Sequence, residues 1–398
     1  MNELISLSKI VTYCNSASSS LPDQNLKGKE GQFIEKLMRR GYETDEEAAL
    51  ELYESNPNDV RYKMLKHRVK KKFYNSLFFV NYEKLKVKRY IKAEQECYAL
   101  MHHANLFLRQ SDYKFAEHNA KKVMAIADEF DFTNFRVLAI EVLLDCYSEL
   151  GSYKDFIKHK RMLDKAFLRK ARESDAVRLF QLIKIKLNKS VRLRREYLPQ
   201  LEKDLEKLES LWESSKTFDA FMAYYRATLW YYELIGDFSR IVELTVLSEK
   251  LVATKVVCPH RFNASFNKFV LVYAHLKAKN YTTGLAYAEK FLSEFNPNSH
   301  NWFSYLENYF LLAAHSKHYE LAGTLLNKVF DNAFYSNLSA AAKERWQLYQ
   351  SYLVIVHDKI KYNQAANPYL LSLPEYSKDK QGFNVAILII QFFYFLKR

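Results

Sequence analysis

Eight glycines and seven prolines are spread through 398 residues, and that scarcity constrains the fold more than any other feature of the chain. A β-rich protein of this length needs turn residues at every strand reversal, whereas long helices joined by short connections need few. Apolar residues make up 48% of the chain, enough for a large core, which argues against global disorder. The length suggests two or three domains, and the expected fold class is all-α.

Residues 1–32 read as a short ordered start followed by a linker, because the stretch from Ser16 to Gly31 is rich in Ser, Gly, Pro and charge and has no apolar period. Residues 33–92 read as a small three-helix domain. Its first helix is expected to end at Gly41, a residue suited to a left-handed stop. Its second starts at Thr44, where Glu47 three positions on completes a capping box. Its third spans about 59–80, with Tyr62, Leu65, Val69, Phe73 and Leu77 forming one apolar stripe.

From residue 93 to the end the chain repeats itself: a helix, a tight polar break closing on an aromatic, and a second helix. The breaks are Ser111-Asp112-Tyr113, Gly151-Ser152-Tyr153, Gly236-Asp237-Phe238, Lys279-Asn280-Tyr281 and Lys317-His318-Tyr319. Their aromatics lie 40, 85, 43 and 38 residues apart. The double gap is expected to hold a further helix pair, near 174–188 and 195–213, giving six units with a period near 40. A fixed period in this range marks a solenoid, whose units bury their apolar faces only by stacking on their neighbours.

These breaks resemble those of the tetratricopeptide family, in which a small residue and an aromatic precede a Gly-Asp-Tyr-like turn and a small residue follows it. Ala104, Phe107, Ser111-Asp112-Tyr113 and Ala116 carry the pattern best. Tyr225, Tyr232 and Gly236-Asp237-Phe238 carry it with Ile241 in place of the small residue, and Lys317-His318-Tyr319 is followed by Ala322. The spacing exceeds the family's repeat of about 34 residues. The resemblance implies a right-handed superhelix of antiparallel helix pairs and a binding role. Residues 383–398 then read as the first helix of a seventh, incomplete unit, from a shortened chain or a terminus that docks on a partner.

The net charge of +14 is concentrated in two zones. Arg61 to Lys92 carries twelve Lys/Arg against one acid, and Lys158 to Arg195 fourteen against three. Such zones attract phosphate backbones, anionic lipid surfaces or acidic protein segments. In the first, Arg61, Lys63, Arg68, Lys70, Lys71 and Lys72 lie off the apolar stripe. Two short helices before a basic third also resemble a helix-turn-helix, which would lay the basic helix in a major groove. In the second, Lys184, Lys186, Lys189, Arg192, Arg194 and Arg195 are candidate anion contacts. Lysine-rich helix faces are, however, more often simply solvated surfaces. Among the aromatics, 15% of the chain, Tyr224 and Tyr231 are candidates for gripping a partner in the superhelix groove, although that spacing also suits a core.

Catalysis finds little support. There is no glycine-rich phosphate loop, no GxSxG turn and no HExxH. His315 and His318, or His102 and His103, do not make the three or four ligands a metal needs, and no cofactor is expected. Glu46-Glu47 and Glu202/Glu206 read as solvated helix carboxylates. Cys14, Cys97, Cys146 and Cys258 lack the close spacing of zinc or redox motifs and suit inert thiols in a cytoplasmic protein. The N-terminus has no signal-peptide pattern. The apolar run from Phe383 to Leu396 is shorter than the ~18 residues expected of a spanning helix, so it reads as core and no membrane insertion is expected. The functional expectation is a non-enzymatic scaffold that binds a protein or peptide. The alternative is a nucleic-acid-binding or regulatory protein using the 59–92 region, with the repeats as its sensor.

Overall fold

A computed structural model describes residues 1–14, 28–39, 41–78, 80–357, 385–389 and 392. Among them the secondary structure is helical throughout, without a β-strand. The chain divides into two compact units, 1–163 and 164–398.

The first unit opens with α1 (Asn2–Cys14), α2 (Lys29–Met38), α3 (Asp45–Tyr53) and α4 (Val60–Leu77). The stripe on α4 is buried at Tyr62, Leu65, Val69 and Phe73. It packs against Leu4, Leu7 and Val11 of α1, Phe33 and Leu37 of α2, and Ala48, Ala49 and Leu52 of α3. The ordered start expected in residues 1–32 is thus a helix built into the same core as α2–α4. Most of the linker, residues 15–27, lies outside the described residues. The capping box is present in both directions: Glu47 N–H donates to Thr44 Oγ1 at 3.2 Å, and Thr44 N–H donates to Glu47 Oε2 at 3.3 Å. Gly41 does close α2, donating to Lys36 O at 2.8 Å, but without the left-handed backbone expected of it. Its i−5 bond is made from an ordinary φ.

Three more helices follow, α5 (Arg89–Arg109), α6 (Tyr113–Phe130) and α7 (Thr133–Glu149). They share a core built on Cys97, Met101, Ala104, Ala116, Ala120, Val123, Ala139 and Leu143. Then comes α8 (Tyr153–Leu187), which begins in this unit and ends in the second.

The second unit continues with α9 (Val191–Ser215), α10 (Phe218–Ile235), α11 (Phe238–Ala253), α12 (Ala264–Lys277), α13 (Tyr281–Phe291), α14 (His300–His315), α15 (Tyr319–Phe330) and α16 (Ala340–Val356). Each of α10–α16 packs on the helix before it, and α12 also packs on α14. Two apolar cores meet at α12, one running back to α8 and the other forward to α16.

Every break picked out by its aromatic is a helix stop of one design. Ser111, Gly151, Gly236, Lys279 and Lys317 are left-handed, with φ of 58°, 65°, 78°, 62° and 62°. In each case the next residue donates its N–H at 2.9 Å to the carbonyl five positions earlier: Phe107, Tyr147, Tyr232, His275 and Ala313. This is the 6→1 bond of a Schellman stop. The aromatic is then the first residue of the following helix. The small positions after the turns are fully buried at Ala116 and Ala322, and Ile241 is almost so. After Tyr281 that position is Gly284, which is also buried.

Of the helix pair expected in the double gap, the second member is present as α9, after a break at Asn188-Lys189, but the first is corrected by the structure. No stop occurs near 173; α8 runs unbroken for 35 residues, because Tyr153–Leu187 contains neither Gly nor Pro and is rich in helix formers. The even period of six units is therefore lost there. The end of the preceding helix and the start of the next are one element. The reading of residues 383–398 lies mostly outside the described residues; within it, Ile387 is buried against Leu348.

Candidate functional site

The basic residues of α4 are largely engaged by carboxylates of their own bundle. Arg61 pairs with Asp59 at 2.8 Å and lies over the Tyr53 ring. Lys70 pairs with Glu3 of α1 at 2.7 Å, Lys72 with Glu30 of α2 at 2.5 Å, and Arg68 reaches the same Glu30 at 3.5 Å. Lys66 pairs with Asp45 of α3 at 2.7 Å. Lys63 donates to Asn58 Oδ1 at 3.0 Å. Of the six residues singled out on α4, Lys63 and Lys71 form no ion pair among the described residues. The face therefore tacks α4 to α1, α2 and α3, a role read from partners up to 67 positions away (Lys70 and Glu3) and invisible in local sequence.

The second zone is mixed. Arg169 and Arg172 cap the end of α9, donating to Ser215 O at 2.9 Å and Ser214 O at 2.7 Å. There they satisfy orphan helix carbonyls and the negative end of the dipole. Lys186 lies over the Tyr197 ring at 4.2 Å, and Arg192 pairs with Glu196 at 2.9 Å. Arg194 is half-buried, while Lys184, Lys189 and Arg195 are exposed.

The second unit carries a pair of adjoining clefts, of about 600 and 340 Å³, that share Leu229, Trp230 and Phe266. Apart from Ile241 of α11 and Phe262 and Asn263 just before α12, their lining comes from every other helix with helical periodicity. It takes Phe180 and Lys184 from α8, then Met222, Arg226, Leu229, Trp230 and Glu233 from α10. From α12 come Phe266, Phe269, Val270, Tyr273 and Lys277; from α14, Ser304, Glu307, Asn308 and Leu311; from α16, Arg345 and Tyr349. Steps of three and four place these residues on one face of each helix. Alternate helices contribute because each intervening helix packs between its two neighbours.

Aromatics form the floor. Phe180 stacks on Trp230 with centroids 5.2 Å apart, and Phe266 is 44% exposed. At the α12–α16 end the carboxylates are satisfied internally, while Lys277 is exposed. Tyr273 donates to Glu233 Oε1 at 3.0 Å, Tyr349 donates to Glu307 Oε1 at 2.7 Å, and Arg345 pairs with Glu307 at 2.8 Å. Burial and the neighbouring Glu233 push the Tyr273 hydroxyl up to about 12. Tyr349 is raised likewise, by burial first and then by Glu307. Both phenols stay protonated donors. At the α8–α10 end, Lys184 and Arg226 are exposed and form no ion pair among the described residues.

Tyr224 and Tyr231, the aromatics expected to grip a partner, are elsewhere. Tyr224 stacks on Trp212 of α9 with rings 4° apart and donates to Glu209 at 3.1 Å. Tyr231 lies close to Glu202 of α9, which with burial raises its hydroxyl. Both sit seven apart on the face of α10 turned to α9, whereas 222, 226, 229 and 233 make the groove face. Trp230 and the buried Tyr225 are the members of that aromatic run that line the clefts.

Other candidate chemistry finds no support among the described residues. No cluster of His, Cys, Asp and Glu among the described residues could hold a metal ion. His315 stacks on Tyr281. All four cysteines are buried, and burial pushes the Cys97 and Cys146 thiols up to about 12 and about 11, where they are poor nucleophiles. No described helix is long and apolar enough to cross a membrane. Against this geometry, no family model, no curated protein and no solved structure matches the chain.

Proposed function

We propose that this chain is a non-enzymatic interaction scaffold that binds a protein or peptide segment in the groove of its second unit. The observation that carries the reading is the lining itself: α8, α10, α12, α14 and α16 each present one face to two connected clefts with an aromatic floor. A largely apolar concavity with a few placed polar groups is the usual form of a binding site. On this reading the helices are tetratricopeptide-like antiparallel pairs wound into a right-handed superhelix, the recurring left-handed stops are its turns, and the alternate helices are its inner wall. The protein works in the cytoplasm, where its thiols stay reduced.

The alternative, nucleic-acid binding through the first basic zone, is weakened by the carboxylates that occupy most of the α4 cations. One experiment tests both. Tagged wild-type chain, a Trp230→Ala/Phe266→Ser variant and a Lys63→Glu/Lys71→Glu variant are purified from their native cells with and without nuclease. The scaffold reading expects a defined protein that survives nuclease and the α4 substitutions but is lost with the groove substitutions. Co-purifying nucleic acid, lost with the α4 substitutions, would overturn it in favour of the alternative.

A further inference from the structure

The chemistry of the two groove ends is unequal, and that inequality selects a ligand. This step rests on the groove reading above. At the α12–α16 end, Glu233 and Glu307 already accept hydrogen bonds from Tyr273, Tyr349 and Arg345. At the α8–α10 end, Lys184 and Arg226 flank the Phe180–Trp230 stack with no carboxylate among the residues lining that cleft. A cation beside an aromatic wall is partly desolvated, which strengthens its attraction for an anion arriving next to an apolar group. Between the two ends, Trp230, Phe266, Phe269 and Leu311 bound the larger cleft, whose volume of about 600 Å³ falls in the range that encloses a large side chain with its neighbours.

We propose that the groove recognises an acidic peptide segment with a large apolar anchor. The anchor, an aromatic or leucine side chain, packs against Trp230, Phe266 and Leu311. An Asp or Glu close to it in the peptide pairs with Lys184 and Arg226. A polynucleotide fits the same surface poorly. Its repeating phosphates would meet two cations at one end and then a stretch where Glu233 and Glu307 balance Arg345 and Lys277, whereas strong backbone binding needs several neutralised phosphates in a row. The peptide needs only one acidic contact, and the tail of the groove offers it hydrogen-bonding groups of both kinds, including the exposed Lys277 and Ser304.

The test uses the purified full chain and a bead-displayed library of random dodecapeptides. Peptides retained by the wild type are compared with those retained by Lys184→Glu/Arg226→Glu, by the milder Lys184→Ser/Arg226→Ser, and by Trp230→Ala. All variants are first checked for an unchanged circular-dichroism melt. The wild type should enrich sequences with Asp or Glu adjacent to Trp, Phe or Leu. A selected peptide should lose at least tenfold in affinity on each variant, should weaken as salt rises, and its lysine-substituted twin should prefer the Glu/Glu variant. Enrichment of basic peptides, or displacement of a selected peptide by single-stranded oligouridine, overturns the proposal. An absence of any enrichment also overturns it, yet leaves the groove reading standing if the cellular partner is still lost with Trp230→Ala/Phe266→Ser. If that partner is retained, both fall.

Discussion

Gly284 offers the sharpest check on how the helices of the second unit approach one another. It lies three residues after the turn aromatic Tyr281, inside α13, at the point where that helix passes α12 and α14. A Cβ built there would sit 2.7 Å from Leu312 Cδ2 and 2.8 Å from His275 Cβ. Leu312 can turn aside; His275 Cβ is fixed to the α12 backbone, so the helices themselves must part. On propensity alone, Gly→Ala inside a helix gains about 1 kcal/mol. Overpacking a close contact costs roughly 1–3 kcal/mol, and two approaches this short belong in the upper half of that range. Gly284→Ala should therefore destabilise by about 1–2 kcal/mol net, lowering the melting temperature of the second unit by roughly 2–8 °C. Thermal unfolding followed by circular dichroism reads this directly, with Gly284→Val as a larger perturbation of the same sign. A Gly284→Ala protein that melts higher than the wild type would show that propensity wins, that there is no close approach, and that the packing of α13 described above is wrong.

Three further outcomes follow from buried and half-buried polar groups. Asn267 is fully buried, accepting from Tyr225 Oη at 2.7 Å and donating to Thr245 O at 3.0 Å, so it ties α10, α11 and α12 together; Asn267→Leu strands both partners and should cost about 2–4 kcal/mol in urea unfolding, against about 1–2 for Tyr225→Phe. His275 is 5% exposed with no hydrogen-bond partner on either ring nitrogen among the described residues, and burial lowers its pKa below the ordinary 6.5. The unfolded chain then binds the proton first, so stability should begin to fall as pH drops below about 6.5 and stop falling once the folded-state pKa is passed; a His275→Gln protein that retains the same acid slope would assign the effect elsewhere. Burial acts to raise the Asp45 carboxyl, but hydrogen bonds from Lys66, the N-terminal ammonium and Tyr62 outweigh it and hold the group well below the usual carboxylate range. Its contribution is present above the unfolded value near 4 and is lost as pH falls from there, so Asp45→Asn should lower the stability of the first unit at neutral pH and flatten its acid limb.

Much of the fold was legible because its stops are local. Five breaks with an aromatic close behind were readable from three residues each, and all five proved to be one backbone motif, although lysine fills the left-handed position in two of them. The turn Asp131-Phe132-Thr133 closes similarly, with Asp131 at φ 52° and Phe132 N–H on Ala127 O at 2.8 Å. Its aromatic precedes the helix instead of opening it, so it falls outside the pattern of the other five. What misled was periodicity itself. An even repeat requires a stop near 173, but nothing in Tyr153–Leu187 disfavours helix, and intrinsic propensity decided the matter against the period. Pro199 makes the converse point, since it lies inside α9 without ending it.

The site was legible only where its chemistry is local. Charge is visible in a sequence, but whether it is available depends on partners brought by the fold: Glu3 and Glu30 reach α4 from two other helices, so most of the sharpest basic signal in the chain is spent within its own bundle. Lys184 looked like one cation in a run of several, yet it is distinguished by facing Trp230 and Arg226 across α8 and α10. The same holds for the aromatics. Tyr224, Trp230 and Tyr231 are equally conspicuous in a row, and the 100° step between neighbours on a helix sends Trp230 to the groove and the tyrosines to α9. The register that separates them could be read once Leu229 and Tyr225 were placed in the core, because the residues flanking a buried stripe on its open side must face whatever the next helix leaves uncovered. In a stack where each helix packs on the one before it, that uncovered side is the same for every second helix. A face legible on any one of α10, α12 or α14 therefore fixes it for the others, and the groove follows from the packing order together with a single register.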